Sequence, residues 1–369
     1  DLRALISEGG MKTDGCIDKA DLRARAVEAA ERLKVPGAKL GPVSKPLISS
    51  VVAEELGLFE TPEERAKKEA EAEMALKAKA EALHRFLLPP LSQLNTPYPS
   101  TAYLARALAE VGRECSLRDL GLGLMLRVFS SDGLNAIFDE LETRDELPEP
   151  AWRALALRTQ HCRVITPVIR FLQGKDRTLA SRVVDGGFLP VGPRVDAADL
   201  SHFGEMSLDD AARRLCTLYI EDMADLITST IDIGFGLSRY GHHLTTGPVP
   251  WEPIAKRLEQ TTVIDGILDD LVDELVDETR PDVVGLSVPF PGMLISALRI
   301  GRRLKSADIR VVMGGGYVNT ELRDVECVGL WDCIDALTYD DGEGPLLALL
   351  RHWEGLEDKR HRTRTAEGM

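Results

Sequence analysis

The sequence predicts an α/β fold: a doubly wound parallel sheet of about five strands with a large helical insertion. Two patterns carry this expectation. Past His84, short apolar runs alternate with amphipathic stretches in the strand-helix order of parallel crossover units. Between the second and third apolar runs, residues 124–262 are too long for a loop and have helical periodicity over 151–172 and 208–231. A small N-terminal helix-loop-helix module and a spacer are expected ahead of this domain.

Residues 1–35 supply the module. Gly9, Gly10 and Gly15 stop one helical pattern before Lys19-Ala20-Asp21-Leu22 opens the next. Pro36, Gly37, Gly41, Pro42 and Pro46 read as a linker, followed by a short apolar helix near 48–56 and a Glu/Lys/Ala-rich, solvated helical spacer at 63–83. The α/β domain is expected over 84–355. It opens with a strand at 85–91, a helix at 100–111 and a polar-edged strand at 115–120. At 263–278, Ile264, Ile267, Leu268, Leu271, Leu275 and Val276 share one helical face, with acidic residues opposite. Then follow a buried strand at 283–288, a helix at 294–304, strands at 309–313 and 333–337, and a last helix at 345–353. Residues 356–369 are expected to be a tail.

Composition removes several function classes. The formal net charge is −15, which opposes the cation-driven binding of a phosphate backbone and argues against a nucleic-acid partner. Residues 1–34 hold seven basic and seven acidic residues, so the module offers no net charge. No stretch reaches the roughly 18 to 20 apolar residues of a membrane-spanning helix. The six cysteines, at 16, 115, 162, 216, 327 and 333, lack both a disulfide-framework density and a paired zinc spacing. The expected location is therefore the cytoplasm or an organelle interior.

In an open parallel sheet, ligands bind beyond the carboxyl ends of the strands, where the strand order reverses. The loop after the first strand, Pro89 to Ser100, contains four prolines and ends in a serine suited to capping the next helix. After the third strand comes Ser287-Val288-Pro289-Phe290-Pro291-Gly292, and after the fourth Gly314-Gly315-Gly316-Tyr317. Three consecutive glycines point to something approaching the backbone closely, and a ligand over the turn is the expectation. The acidic turn Asp340-Asp341-Gly342-Glu343 suits helix N-terminal capping as well as chemistry. The adjacent His242 and His243 lack the i,i+4 spacing of a helical metal chelate.

Taken together, 89–100 (PPLSQLNTPYPS), 171–176 (FLQGKD), 285–292 (GLSVPFPG), 314–322 (GGGYVNTEL) and 340–343 (DDGE) resemble the amino-terminal cobalamin-binding domain of cobalamin-dependent radical SAM proteins. The resemblance runs from about residue 84 to the end of the chain. Residues 14–22 (DGCIDKADL) resemble the carboxy-terminal, SAP-like domain of mesencephalic-astrocyte-derived neurotrophic factors.

The first resemblance implies a Rossmann-like domain that holds cobalamin with its corrin on the strand ends and its nucleotide tail against the sheet. It implies that Leu94, Asn95 and Tyr98 lie under the corrin, that Ser287 and the turn of Gly314, Gly315 and Gly316 line the channel for the tail, and that Pro289 and Tyr317 also bind the cofactor. Other cobalamin modules place D-x-H-x-x-G after the first strand, but this loop has no histidine. Cobalamin is thus expected base-off without a protein imidazole on cobalt. A radical SAM domain also needs C-x-x-x-C-x-x-C for its [4Fe–4S] cluster, and no three cysteines here have that spacing. The cluster and S-adenosylmethionine are therefore expected in a partner or missing domain, in cis or trans, acting on a small-molecule or macromolecular substrate. The chain alone is expected not to turn over. Two readings stay open beside this one: a cofactor-free interaction scaffold that keeps the fold, and a nucleotide-binding enzyme using the glycine turn for phosphates.

Overall fold

The computed structural model describes residues 84–92, 94, 97–198, 206–237, 251–356 and 362–366. The expected N-terminal module, linker and spacer lie outside the described residues, as do Asn95, His242 and His243.

Strands β1 (His84–Leu88), β2 (Cys115–Asp119), β3 (Val283–Ser287), β4 (Arg310–Gly314), β5 (Ala336–Thr338) and β6 (Thr363–Thr365) form one sheet in the order β2-β1-β3-β4-β5-β6. The first five are parallel and β6 is antiparallel to β5. The expected parallel sheet is thus present with a sixth strand added. Residues 363–365, placed in the expected tail, pair with β5, and their short polar run Thr-Arg-Thr carries no apolar signal a sequence reading could use.

Chain direction across the sheet explains the two helical layers. From β1 the chain steps outward to β2 through α1 (Ser100–Glu110), then returns across β1 to β3 and steps the other way to β4 and β5. Right-handed crossovers in opposite directions put their helices on opposite faces. One face packs Phe86, Leu108, Val283, Val312 and Ala336 against Leu346, Leu349 and Leu350. The other places Leu87, Val284, Leu286, Val311 and Met313 in the larger core. The alternation Val283/Val284 and Val311/Val312 is the period of two that a strand imposes. β1 and β3 are buried along their whole length, whereas edge strand β2 is mostly exposed.

The β2-to-β3 connection contains α2 (Leu120–Val128), α3 (Ser131–Glu142), α4 (Glu149–Ala156), α5 (Arg158–Leu172), α6 (Leu179–Val184), α7 (Pro193–Asp196), α8 (Leu208–Thr230), α9 (Trp251–Glu259) and α10 (Val263–Thr279). The helix expected over 151–172 is broken at Leu157 into α4 and α5. The apolar period continues through the break, so it left no mark in the sequence.

α10 begins at a capping box in which Thr262 and Asp265 bond each other's backbone. Its acidic face is not simply solvated. Arg257 reaches Asp265 at 2.9 Å and, from α11 (Leu294–Ser306), Arg299 reaches Asp269 at 2.6 Å and Arg303 pairs with Asp273. Arg127 of α2 reaches Glu274 at 2.5 Å. The chain closes with α12 (Gly316–Glu321) after β4 and α13 (Glu343–Trp353) after β5.

Candidate functional site

The order 2-1-3-4-5 reverses between β1 and β3, which is where a doubly wound sheet opens a crevice at its carboxyl ends. A cavity of about 310 Å³ lies there, between the sheet and the α1 and α13 layer. Its apolar walls are Phe86, Leu104, Val312 and Leu346, and its polar groups include Ser100, Ser287 and Thr338.

The sheet shapes this cavity by omitting side chains. Phe86 is in register with Gly285, and a Cβ on Gly285 would stand 2.4 Å from the Phe86 ring. Only glycine lets that ring lie across β3. Ser287 is in register with Gly314, whose Cβ would stand 2.6 Å from Thr338 Oγ1. At the strand ends, Ser100 Oγ and Ser287 Oγ are 2.6 Å apart. Ser100 was expected to cap α1. The N-cap is instead Pro99, and the Ser100 hydroxyl turns to β3.

The glycine turn has a different cause from the one its sequence suggests. Gly315 has φ +116°, and a Cβ there would lie 2.7 Å from the Val288 carbonyl oxygen. The Tyr317 N–H donates to the Val288 carbonyl at 3.2 Å, and the Val288 N–H donates to the Gly314 carbonyl at 2.7 Å. Gly316 faces the Pro289 carbonyl, 3.1 Å from where a Cβ would be. The close approach that these glycines permit is therefore that of the loop after β3, and the expectation that a ligand must account for all three is corrected.

Of the residues expected at the site, Tyr98, Ser287, Gly314 and Gly315 line the cavity together. Tyr98 is held edge-on to Phe290, ring centroids 5.7 Å apart. Leu94 is exposed and Pro289 is buried, and neither lines the cavity. Gly316 is exposed beyond it. Tyr317 lies elsewhere, in a cavity of about 740 Å³ with Trp251, Leu294 and Leu298, where burial raises its phenol pKa. Sequence reasoning missed Phe86, Leu104, Thr338 and Leu346, which read as ordinary core positions until the packing of α1 and α13 on the sheet brings them to one cavity.

The acidic turn is partly structural. Asp340 takes φ +60°, and its N–H donates to Asn319 Oδ1 at 2.6 Å. The hydrogen bond from Arg323 holds its carboxyl below the ordinary carboxylate range, with Arg362 adding to the effect. Asp341 and Glu343 stand at the cavity. Among the described residues, no lysine or arginine lines it, so the phosphate-binding reading of the glycine turn has no cation there to support it.

Among the described residues, no group of three or more His, Cys, Asp or Glu is placed to hold a metal ion, and no helix is long and apolar enough to cross a membrane. No family model, curated protein or solved structure matches the chain.

Proposed function

We propose that this chain is a cobalamin-binding module of a radical SAM type enzyme, holding the cofactor base-off with the dimethylbenzimidazole base of its tail in the cavity between β1, β3 and α1. The observation that carries the reading is the cavity itself, at the switch point of the sheet, where Gly285 and Gly314 make room for the Phe86 and Thr338 side chains that line it.

The donor set fits a flat aromatic base. Phe86, Leu104, Val312 and Leu346 offer apolar surface to its faces. In the Ser100–Ser287 pair one hydroxyl donates to the other, which leaves the accepting hydroxyl's proton for a ring nitrogen. The volume sits at the lower end of the roughly 300 to 1,000 Å³ of small-molecule sites, as suits one part of a ligand whose larger part lies outside. Leu94 and Tyr98, on the proline-rich loop at the strand ends, would face the corrin. When bound, cobalt would supply methyl-transfer or radical chemistry to a substrate. The iron-sulfur cluster and S-adenosylmethionine belong to a radical SAM domain acting in cis or trans, because the chain lacks the cysteine triad that a cluster needs.

The test is incubation of the purified chain with hydroxocobalamin, then gel filtration and absorption spectroscopy. Retention at one equivalent with a base-off spectrum is expected. A base-on or histidine-ligated spectrum contradicts the proposed mode, and failure to retain the cofactor favours a cofactor-free scaffold.

A further inference from the structure

A second cavity, of about 240 Å³, lies within the helical insertion among α4, α5, α7 and α8 and shares no lining residue with the first. Its walls include Leu157, Val191, Met223 and Leu226, and Val191, at 57% exposure, marks its mouth. It exceeds the ~150 Å³ of an apolar cavity that admits benzene.

One buried polar side chain lines it without a full set of partners. His161 is 3% exposed, and its ring stacks on Tyr219 at an interplanar angle of 10°. His161 Nδ1 lies 3.1 Å from Tyr219 Oη. The Tyr219 side chain is fully buried, and its hydroxyl has no other partner among the described residues. A buried hydroxyl proton is costly to leave unbonded, so Tyr219 donates to Nδ1. Nε2 then carries the proton of a neutral imidazole. It has no partner among the described residues and is the ring nitrogen left for the cavity.

The charged groups around the cavity already have hydrogen-bond or ion-pair partners. Asp222 accepts from the Arg194 and Val195 N–H groups at 2.9 and 3.2 Å. Glu149 pairs with Arg153 at 2.7 Å and Asp225 with Arg194 at 2.6 Å. Burial lowers the His161 pKa to about 4, which keeps the ring uncharged at neutral pH.

We propose that this cavity binds a small uncharged carbonyl compound, its oxygen accepting from His161 Nε2–H and its apolar body packed against Leu157, Val191, Met223 and Leu226. An anion would meet the Asp222 carboxylate with no unpaired cation among the described residues beside it, and a cation would offer the Nε2–H no acceptor. A pure hydrocarbon would cover the Nε2–H and leave it unbonded, a loss that separates ligands of equal shape.

The test titrates the full chain, labelled with ¹⁵N-histidine, with acetophenone and with ethylbenzene, which keeps the ring but lacks the acceptor. The His161 resonance is identified by its loss in His161→Gln. Saturable acetophenone binding that moves the His161 Nε2 resonance, at least tenfold tighter than ethylbenzene, is expected. Tyr219→Phe, which keeps the ring stack, is expected to erode that preference and carries the test where His161→Gln does not fold. Equal affinity for the two probes, an unmoved His161 resonance at saturation, or no saturable acetophenone binding overturns the proposal.

Discussion

Ser100 Oγ and Ser287 Oγ stand 2.6 Å apart, joining the first turn of α1 to the end of β3 between residues 187 positions apart in the chain. Both hydroxyls line the candidate cavity, so the pair links the architecture of the switch point to ligand recognition. Ser287→Ala is expected to weaken cobalamin binding about tenfold, or about 1.4 kcal/mol, with the thermal melting curve little changed. Titration by difference absorption beside a melt checks this, and unchanged affinity removes the hydroxyl pair from the account.

Gly315→Val is expected to lose stability and cofactor together. From sequence alone, the glycine turn suggests that this variant keeps its fold and loses only its ligand. The left-handed φ and the Val288 backbone within 2.7 to 2.9 Å of the added Cβ reverse that expectation. A cost of at least about 2 kcal/mol follows from strain and overpacking. Urea denaturation measures it, and a variant as stable as the parent contradicts the assigned geometry.

That reversal shows where the sequence is legible and where it is not. The strands at β1, β3 and β4 and the helices α1, α8, α10 and α11 are written in local apolar periodicity. Ser287 and Tyr98 could be placed at a site because switch-point logic looks to strand ends. The partner of Gly315 could not, because Val288 reaches it through tertiary packing. The register of Phe86 opposite Gly285 is equally non-local. β6 was invisible because an antiparallel edge strand of three residues needs no apolar face.

Arg113 and Glu354 form a two-pronged ion pair, both contacts 2.5 Å, with the arginine side chain 1% exposed. The pair ties the chain just before β2 to the end of α13. Glu354→Ala leaves a buried guanidinium uncompensated and is expected to cost about 3 kcal/mol or more. Adding Arg113→Met is expected to recover part of the loss. Chemical denaturation of the two single variants and the double variant tests this, and simple additivity of the losses contradicts it.

His161 titrates near 4 in the folded protein, against 6.5 for a free imidazole, because burial penalises its cation. Between those values the unfolded chain holds more protons, so stability rises with pH across the window. The contribution is fully present above about pH 6.5, and about 3 kcal/mol of it is lost by about pH 4. Asp222 lies in the same cavity, and burial raises its pKa, so its linkage has the opposite sign. Comparison with His161→Phe isolates the histidine. The urea midpoint of the parent should fall more steeply than that of the variant as pH drops from 6.5 to 4, and parallel profiles contradict a neutral buried imidazole.

The most direct measurement compares cobalamin with cobinamide, which has the corrin and cobalt but no dimethylbenzimidazole tail, by absorption titration of the purified chain. If the cavity between β1, β3 and α1 takes the tail, cobalamin binds at least tenfold more tightly, a difference of about 1.4 kcal/mol or more. Equal affinity for the two contradicts the account.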